Sequence, residues 1–536
     1  MIVTADFVVV GAGSSGCIVA AELAAAGHTV TLLEAGDRAE DHPETLRADG
    51  YKDAFTNDAL MHERFTIKQS SCGSRRLFAG TGRGVGGSGA INAMVYTRGA
   101  KQDFDAFGEG WRWPDVEPTF RDLEQHLDVR RRGPTQFTEA CIEAAAEEGL
   151  ARKEDLNDGD LTNVLGYEWM NFRGDERRNA YAAFVRQRSL PSLDVRTRHE
   201  ATRLLFSADD ATRVTGVVTR HAGDEHIFEA RREVVLALGA LATPVLLMRS
   251  GIGPKTELRA HGIEVRADLE GVGRNLHDHP NVTLFFHGKA QVDASYPQVY
   301  GFGRMRDGRG PSDTCFVFYP ARSSFREGLV RMLPAMLFPE DQGRKKALVR
   351  GAVSALFRSG VVTSFVESMW GIVVILGKPQ SRGTIRLASA KASDAALIDP
   401  AYLTHEDDLA LMLRGVDRAR RIASSSKLAL YRSRELIPGR LGALGRAQAD
   451  ADIQFVQQNL MTTYHFAGTC KMGDGAGAVV DRRLAVRGLR GLRVADASII
   501  PETPVSALNA PSMMIGLRAS RFMLEEQHAG DSKRDG

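Results

Sequence analysis

The sequence places glycines where a chain can approach a nucleotide. Gly11, Gly13 and Gly16 form a G-x-G-x-x-G pattern, and Glu34 follows the last of them by eighteen residues. The first glycine of such a pattern permits a tight turn, the second lets the backbone approach a pyrophosphate, and the third allows a helix to pack on a strand. A carboxylate at the position of Glu34 is suited to hydrogen-bond ribose hydroxyls. The pattern therefore predicts a dinucleotide site.

Regular elements must hold this turn in place. Residues 7–10 are apolar and β-branched, which predicts a strand buried on both faces of a parallel sheet. Residues 15–26 are rich in alanine and predict a helix that ends at Gly27, and residues 29–33 predict a second strand. The order of strand, turn, helix, strand and acid indicates a Rossmann-like domain, for which either NAD or FAD is a suitable ligand.

A second glycine cluster lies at residues 80–89, with six glycines in ten positions. A regular apolar segment that contains Asn92, Met94 and Arg98 follows it directly. A flexible linker would not be followed directly by such a regular apolar segment. The cluster predicts a packed loop whose backbone N–H groups face an anion or a ring.

At this point the chain resembles a known family. Residues 82–99 look like the first signature of the glucose-methanol-choline (GMC) family of FAD-dependent oxidoreductases, and residues 239–254 look like its second. Residues 271–279, 464–473 and 492–501 resemble further family motifs, in family order. The chain looks most like bacterial alcohol dehydrogenases, choline dehydrogenases and furan-alcohol oxidases. The resemblance implies an α/β fold, with a Rossmann-like FAD-binding domain on a parallel sheet and a substrate domain whose antiparallel sheet is covered by helices.

The resemblance also implies a catalytic pair. His465 lies where the family carries its catalytic histidine, and an imidazole with a pKa near 6.5 is suited to accept a hydroxyl proton around neutral pH. Asn509 lies where family members carry histidine or asparagine beside the first histidine. Asparagine does not titrate, so its expected role is to hydrogen-bond the alcohol oxygen or the developing alkoxide.

The glycine pattern and the resemblance together predict how FAD is bound. Ile91 stands where some choline-oxidising relatives carry a histidine bonded to the flavin, and an alkyl side chain has no nucleophile, so FAD is expected to be non-covalent. The predicted cofactor residues are Gly11, Gly13, Ser14, Ser15, Gly16, Glu34, Gly82, Gly87, Ser88, Asn92, Ala93, Met94, Ala201, Asp496 and Ala497.

The expected domains are discontinuous. Residues 1–280 and 461–530 form the FAD-binding domain, with excursions within 37–80 and 112–190, and residues 281–460 form the substrate domain. Residues 531–536 are polar and are expected to be a disordered tail. The arginine-rich stretch 173–188 is predicted to be a solvated face.

Residues 321–366 alternate basic and apolar side chains. Two interpretations stay open: a helical insertion packed on the domain with its arginines in water, or a basic amphipathic segment that contacts a membrane surface. Residues 361–376 are too short, and too interrupted by Glu367, to span a bilayer.

Composition excludes several functions. Sixty-nine basic and sixty-seven acidic residues give a net charge of +2, which predicts no general attraction to nucleic acid. Five scattered cysteines without metal-ligand spacing indicate reduced thiols, and the early first strand leaves no room for a signal peptide, so a cytoplasmic location is expected. The family motif accounts for His277 and His279 without a metal, and no G-x-S-x-G elbow supports a hydrolase.

The sequence thus predicts FAD-dependent oxidation of a primary alcohol to an aldehyde, with hydride transfer to flavin N5 and His465 as general base. The alternative is a lyase on the same FAD scaffold, of the hydroxynitrile lyase or fatty-acid photodecarboxylase type, and a non-catalytic flavin-bound module is a third interpretation. The substrate is expected to be a small alcohol, and either O₂ or a quinone can serve as electron acceptor. Peripheral contact with the inner membrane face through residues 321–366 stays open.

Overall fold

The structure is a computed structural model that describes residues 2–338, 343–439 and 448–532. The fold is mixed α/β, with two large sheets. The predicted tail lies outside the described residues from 533 onward, and residues 531 and 532 end the last helix. No helix within the described ranges combines the length and the hydropathy needed to cross a bilayer.

The nucleotide sheet contains the predicted first strand. That strand runs over Ile2–Val10 and is parallel to Val30–Leu33 and to residues 227–236 of the strand Asp224–Leu236. It begins earlier than the predicted residue 7 because residues 2–5 pair with residues 227–230. In spatial order the strands are Leu193–Arg196, Val30–Leu33, Ile2–Val10, Asp224–Leu236, Val214–His221 and Glu200–Phe206, and Leu492–Val494 also pairs with Asp224–Leu236.

Two helices pack together on this sheet. The first helix, Gly16–Ala25, is buried along most of its length, and the C-terminal helix, Asn509–Ser532, packs against it. Residues from both ends of the chain therefore share one core, in which Phe7, Ile18 and Met513 are fully buried.

The substrate sheet is antiparallel apart from one short pair. In spatial order its strands are Arg434–Ile437, Pro280–His287, Met369–Leu376, Thr314–Pro320, Val299–Gly303, Val164–Tyr167 and Ala151–Arg152, and Met461–Thr462 pairs with Pro280–His287. Two of these strands come from the excursion 112–190, which therefore contributes to the substrate sheet.

Further helices cover the two sheets and their connections. They are Tyr51–Thr56, Ser88–Ile91, Lys101–Asp105, Trp113–Leu127, Gln136–Glu147, Thr243–Arg249, Lys255–Ala260, Phe325–Leu337, Arg344–Leu356, Gly360–Glu367, Glu406–Ser424 and Gln448–Asn459, with a π-helix at Tyr181–Arg186. The described residues of 321–366 contain three α-helices, and the first of them packs against Tyr51–Thr56.

Candidate active site

A cavity of about 630 Å³ extends from the glycine turn at residues 11–16 to His465 and Asn509. This volume is within the range of small-molecule sites in proteins. Both sheets contribute to its wall, because Val10 and Leu33 come from the nucleotide sheet and Phe302 and Ile375 from the substrate sheet. The cavity thus joins the predicted nucleotide site to the predicted catalytic pair.

The steric requirement for glycine differs among the three glycines of the turn. Gly11 has a φ of +103°, and a Cβ there would lie 2.5 Å from the Ala237 carbonyl oxygen. A Cβ on Gly16 would lie 1.9 Å from the Gly11 carbonyl oxygen. A Cβ on Gly13 would meet no protein atom within 4 Å, and Gly13 lines the cavity. Gly13 therefore leaves space for a ligand, whereas Gly11 and Gly16 leave space for the protein's own backbone.

Glu34 holds the loops around the nucleotide end together. One carboxylate oxygen accepts the Ala12 N–H at 3.0 Å, and the other accepts the N–H groups of Gly36 and Gly84 at 2.9 and 3.0 Å. Burial raises the pKa of Glu34, and these backbone donors oppose the rise. Glu34 also lines the cavity, so its predicted contact with a ribose would be added to a structural role.

The second glycine cluster packs directly on the first. A Cβ on Gly87, which has a φ of +53°, would lie 2.8 Å from the Gly13 Cα. A Cβ on Gly89 would lie 2.6 Å from the Ser14 Oγ. Gly82, Gly87, Ser88, Asn92 and Ala93 all line the cavity. The two glycine segments therefore form one continuous wall.

Arg177 anchors this wall from behind, and the prediction of a solvated face over residues 173–188 is wrong for it. Its side chain is fully buried and donates to the carbonyl oxygens of Gly89 and Asn92 at 3.1 and 2.7 Å, and to the Asn92 Oδ1 at 2.7 Å. Arg178 is also buried, 3.0 Å from the Asp128 carboxylate. These arginines are internal because carbonyl and carboxylate groups surround them, which a run of charges in the sequence does not reveal.

Asp496 fixes the wall where the C-terminal strand ends. Its carboxylate accepts the Gly239 N–H at 2.9 Å, the Thr243 hydroxyl at 2.6 Å and the Ser498 N–H at 2.8 Å. Burial raises the pKa of Asp496. The residues of two predicted motifs, around Gly239 and around Asp496, are thereby held together.

His465 is in contact with a second histidine. The Nδ1 atoms of His465 and His279 are 2.9 Å apart, and the His279 Nε2 is 3.0 Å from the Thr503 hydroxyl. Burial lowers the pKa of His465 to about 4 and also lowers the pKa of His279. Both imidazoles are therefore neutral around pH 7.

A buried carboxylate positions the backbone of His465. Asp278 accepts the His465 N–H at 2.6 Å through one oxygen, and the hydroxyls of Tyr402 and Thr462, each at 2.5 Å, through the other. Burial raises the pKa of Asp278 to about 6. The carboxylate fixes the loop and lies outside the cavity wall.

Asn509 is linked to the nucleotide turn. The Ser14 hydroxyl donates to the Asn509 Oδ1 at 2.8 Å, although the two residues are 495 positions apart. The Asn509 Nδ2 is buried and has no hydrogen-bond partner, and the same is true of the Ser506 Oγ nearby in the cavity wall. Buried polar atoms are rarely left without a partner, so these two atoms indicate a ligand.

The substrate end of the cavity is aromatic. Its wall includes Tyr51, Phe55, Tyr300, Phe302, Tyr319 and Tyr464. Among the described residues that line the cavity, the carboxylates are Glu34 and Asp496, which belong to the nucleotide end. No described lining residue there offers a carboxylate to a cationic ligand, and Lys52, beside Tyr51, also lines the cavity.

Among its described residues, the basic segment 321–366 contributes small residues to the cavity wall. Ser324 and Gly328 line it, and no arginine or lysine of the described part of the segment does. Instead the Arg331 side chain is buried, donates to the Phe55 carbonyl oxygen at 2.9 Å and pairs with Asp58 at 2.5 Å. Arg350 pairs with the same carboxylate at 2.6 Å. The expectation that a packed insertion keeps all its arginines in water is therefore wrong for Arg331.

Of the fifteen predicted cofactor residues, all but Gly16 and Met94 line the cavity. Gly16 packs against Gly11, and Met94 is buried beside Ala48 and Met170. Ile91 also lines the cavity. The structure thus gathers the predicted residues at one cavity, while their roles stay predictions.

His279 lines the cavity and contacts His465, and it is absent from the residues predicted from sequence. The sequence signal for it is its place at the end of the motif of residues 271–279. Its neighbour His277 instead lies with its Nδ1 2.9 Å from the Asn275 carbonyl oxygen. Within the described ranges no group of three or more His, Cys, Asp or Glu residues is placed to hold a metal ion.

Comparisons with known proteins agree over nearly the whole chain. A family model described as GMC oxidoreductase matches residues 5–281, and a second with the same description matches residues 379–516. The chain is 30% identical to the alcohol dehydrogenase [acceptor] of Pseudomonas putida, covering 97% of this chain and 96% of that protein. It is 29% identical to the choline oxidase of Arthrobacter globiformis, and the match covers 98% of this chain and 95% of that protein. Among solved structures, pyridoxine 4-oxidase from Mesorbium loti superposes with a TM-score of 0.81 at 26% identity, covering 96% of this chain and 98% of that one.

Proposed function

The chain belongs to the GMC oxidoreductase family, and on that premise we propose that it is an FAD-dependent enzyme that oxidises a primary alcohol to an aldehyde. One observation carries the proposal. The hydrogen bond from Ser14 to Asn509 joins the nucleotide turn to the catalytic pair at one cavity. A dinucleotide bound at the turn would thus have its reactive end beside His465 and Asn509.

The residues present fit FAD. Gly13 has open space where a Cβ would be, which leaves room for a pyrophosphate against the backbone. The residues that would hold the cofactor are those of the two glycine segments, with Glu34 at the ribose and Asp496 and Ala497 toward the ribityl chain. Ile91 offers no nucleophile, so we propose that FAD is held without a covalent bond. When bound, FAD supplies a two-electron acceptor for hydride at N5.

His465 is the proposed general base. If His279 donates its Nε2–H to Thr503, its Nδ1 must accept, and His465 then donates from Nδ1. That tautomer leaves the His465 Nε2 lone pair free to accept the hydroxyl proton as hydride leaves the carbon. The imidazolium that forms keeps its hydrogen bond to His279. A positioned base of this kind contributes roughly 10²–10⁴ in rate.

Asn509 is the proposed partner for the alcohol oxygen. Ser14 occupies its Oδ1, which leaves the Nδ2 as a fixed donor without a protein partner. A donor aimed at an oxygen that gains negative charge stabilises the transition state more than the ground state. Ala507, next in the cavity wall, stands where many relatives carry a further asparagine and offers no such donor.

The charges that line the substrate end favour a neutral alcohol over choline. Its aromatic faces would attract a quaternary ammonium, but Lys52 lines the cavity beside Tyr51 and would repel it. No carboxylate among the described lining residues there would balance a quaternary ammonium. The Arthrobacter relative is named for choline, but this chain's chamber supports an uncharged aromatic or aliphatic primary alcohol.

The test is anaerobic mixing of the FAD-loaded protein with benzyl alcohol, hexanol and choline in a stopped-flow spectrophotometer. We expect the flavin to be bleached by the first two alcohols and hardly by choline. If none of a wide panel of alcohols bleaches it, the proposal fails. Light-dependent release of CO₂ from a fatty acid would favour the lyase alternative instead.

Two further experiments address the electron acceptor and the flavin attachment. Reoxidation of the reduced enzyme by O₂ and by a soluble quinone identifies the acceptor. Acid precipitation that releases all the flavin would show that FAD is bound without a covalent bond.

A further inference from the structure

Two successive helices at the C-terminal end of the basic segment each expose large apolar side chains. On Arg344–Leu356, Leu348 is 76% exposed and Leu356 is also exposed, and on Gly360–Glu367, Val361 is 80% exposed and Phe365 is exposed. We call these four side chains the apolar patch. Soluble proteins rarely expose large apolar side chains close together unless a partner covers them, so these residues indicate an interaction surface.

The patch is fixed in orientation. On the opposite side of the first helix, Lys346 pairs with Glu63 at 2.8 Å and Arg350 pairs with Asp58 at 2.6 Å. Val353 and Val366 are buried on the inner faces of the two helices. The helices are thus anchored by ion pairs and packing, and the apolar side chains point outward as a consequence.

Within residues 343–366 every charged side chain is basic. Residues 343–366 contain no aspartate or glutamate. Arg344 and Arg358 are exposed, and within the described residues neither has a carboxylate at ion-pair distance. An apolar surface flanked by unpaired cations is the pattern of a segment that lies in the interface of an anionic membrane.

We propose that the apolar patch, with Arg344 and Arg358, docks the enzyme on the surface of an anionic lipid bilayer. The apolar side chains enter the boundary between headgroups and acyl chains, and the two guanidinium groups bind lipid phosphates. A second copy of the chain fits this face less well. A two-fold contact would bring the same cations together, and residues 343–366 contain no carboxylate to pair with them.

The docked face is close to the substrate end of the cavity. The helix Phe325–Leu337 packs against Arg344–Leu356 and brings Gly328 to the cavity wall. Docking would therefore place the wall of the chamber near the bilayer, where apolar alcohols and quinones concentrate. This inference goes beyond the proposed function and does not depend on the reaction.

The experiment is co-sedimentation of the FAD-loaded protein with vesicles of phosphatidylcholine alone or mixed with phosphatidylglycerol. We expect several-fold more protein to pellet with the anionic vesicles, and less as salt is added. Leu348→Glu with Val361→Glu should abolish this binding, whereas Ile2→Glu, at an exposed apolar residue of the nucleotide sheet, should leave it unchanged. Arg344→Gln with Arg358→Gln should weaken binding roughly 30-fold, since each cation near the surface contributes about 1 kcal/mol.

Flavin content and the rate with a water-soluble alcohol should be the same in all these variants, which shows that they are folded. Two results would overturn the proposal. One is anionic-vesicle binding that survives the Leu348→Glu, Val361→Glu change. The other is a dimer in sedimentation equilibrium that this change dissociates, with no vesicle binding by the unaltered protein, which would assign the patch to contact between copies.

Discussion

The two ends of the cavity are built in different ways. At the nucleotide end, backbone atoms touch backbone atoms: Gly16 against Gly11, and Gly87 against Gly13. At the substrate end, side chains from distant segments meet, as Phe55, Tyr300 and Tyr464 do. The first end depends on glycines that leave space for neighbouring backbone, with Glu34 and Arg177 holding its loops, and the second depends on side chains that can be exchanged. A change at the nucleotide end should therefore act on folding and cofactor, and a change at the substrate end on rate and selectivity.

The largest effect is expected from Gly16→Ala. Its Cβ would lie 1.9 Å from a backbone oxygen, so the first helix must move from the first strand. We expect little soluble protein, or protein without flavin and with a much lower melting temperature. The measurements are flavin absorbance per protein and thermal unfolding followed by circular dichroism.

Gly13→Ala is the matched control for that change. The new Cβ meets no protein atom within 4 Å, so the apoprotein should melt at nearly the unaltered temperature. Its FAD affinity should nevertheless fall, because the methyl group occupies the space left for the pyrophosphate. Equal loss of apoprotein stability in both variants would contradict the distinction between the two glycines.

His465→Ala should be the largest change that acts on rate alone. We expect the rate of anaerobic flavin reduction by an alcohol to fall roughly 10²–10⁴-fold, since a positioned base is lost. Flavin content and melting temperature should stay close to those of the unaltered enzyme. If the variant lost bound flavin as well as reduction rate, a change at the substrate end would also affect cofactor binding at the nucleotide end.

The pH dependence follows from the same residue. Burial lowers the pKa of His465 to about 4, and only the neutral imidazole accepts a proton. Flavin reduction should therefore be constant from alkaline to mildly acidic pH and be lost as the pH falls through about 4. Flavin content is checked at each pH. A decrease centred near the ordinary histidine pKa of 6.5 would show that burial does not depress the pKa of His465.

Asn509→Ala should have a smaller effect on rate. Removal of one donor to a developing oxyanion costs about 10²–10³ in kcat. Asn509→Asp is the informative control, because it keeps the Oδ1 contact with Ser14 but replaces the donor by an acceptor. Stopped-flow reduction should be slow in both variants. A fast aspartate variant would contradict the role of the Nδ2.

Arg331→Met should have the smallest effect. The side chain ties the helix Phe325–Leu337 to the backbone of Phe55, which lines the chamber, and to Asp58. Hydrogen bonds to a charged group are worth about 1.5–3 kcal/mol, so this connection should loosen and KM should rise several-fold. The maximal reduction rate and flavin content should stay unchanged. Arg350→Met, which removes a more exposed partner of Asp58, should change KM less.

The sequence allowed more of the nucleotide end than of the substrate end to be predicted. The turn, the first helix and the second strand lie within a residue or so of their predicted bounds, because local geometry dictates glycine, alanine and β-branched residues there. The first strand begins at Ile2 because of pairing with residues 227–230, which no local pattern reveals. The buried state of Arg177 likewise depends on carbonyl groups 85 and 88 residues away.

The substrate end could be predicted only where a family motif crosses it. His465 and Asn509 were predicted from motifs, whereas His279 contacts His465 across 186 residues and was not recognised. The aromatic wall draws single residues from several segments, so it has no spacing that a sequence could show. Side chains that meet only in three dimensions leave no periodic signal.

The late position of one strand has a consequence for synthesis. Leu492–Val494 pairs with Val234 to Leu236 in the nucleotide sheet, and the C-terminal helix covers the first helix. A ribosome makes the amino-terminal strands long before either partner. Until then the growing chain exposes an unpaired strand edge and the apolar side of a helix, which chaperones and proteases recognise. A chain that stops before residue 492 is therefore a target for degradation rather than a weakened enzyme.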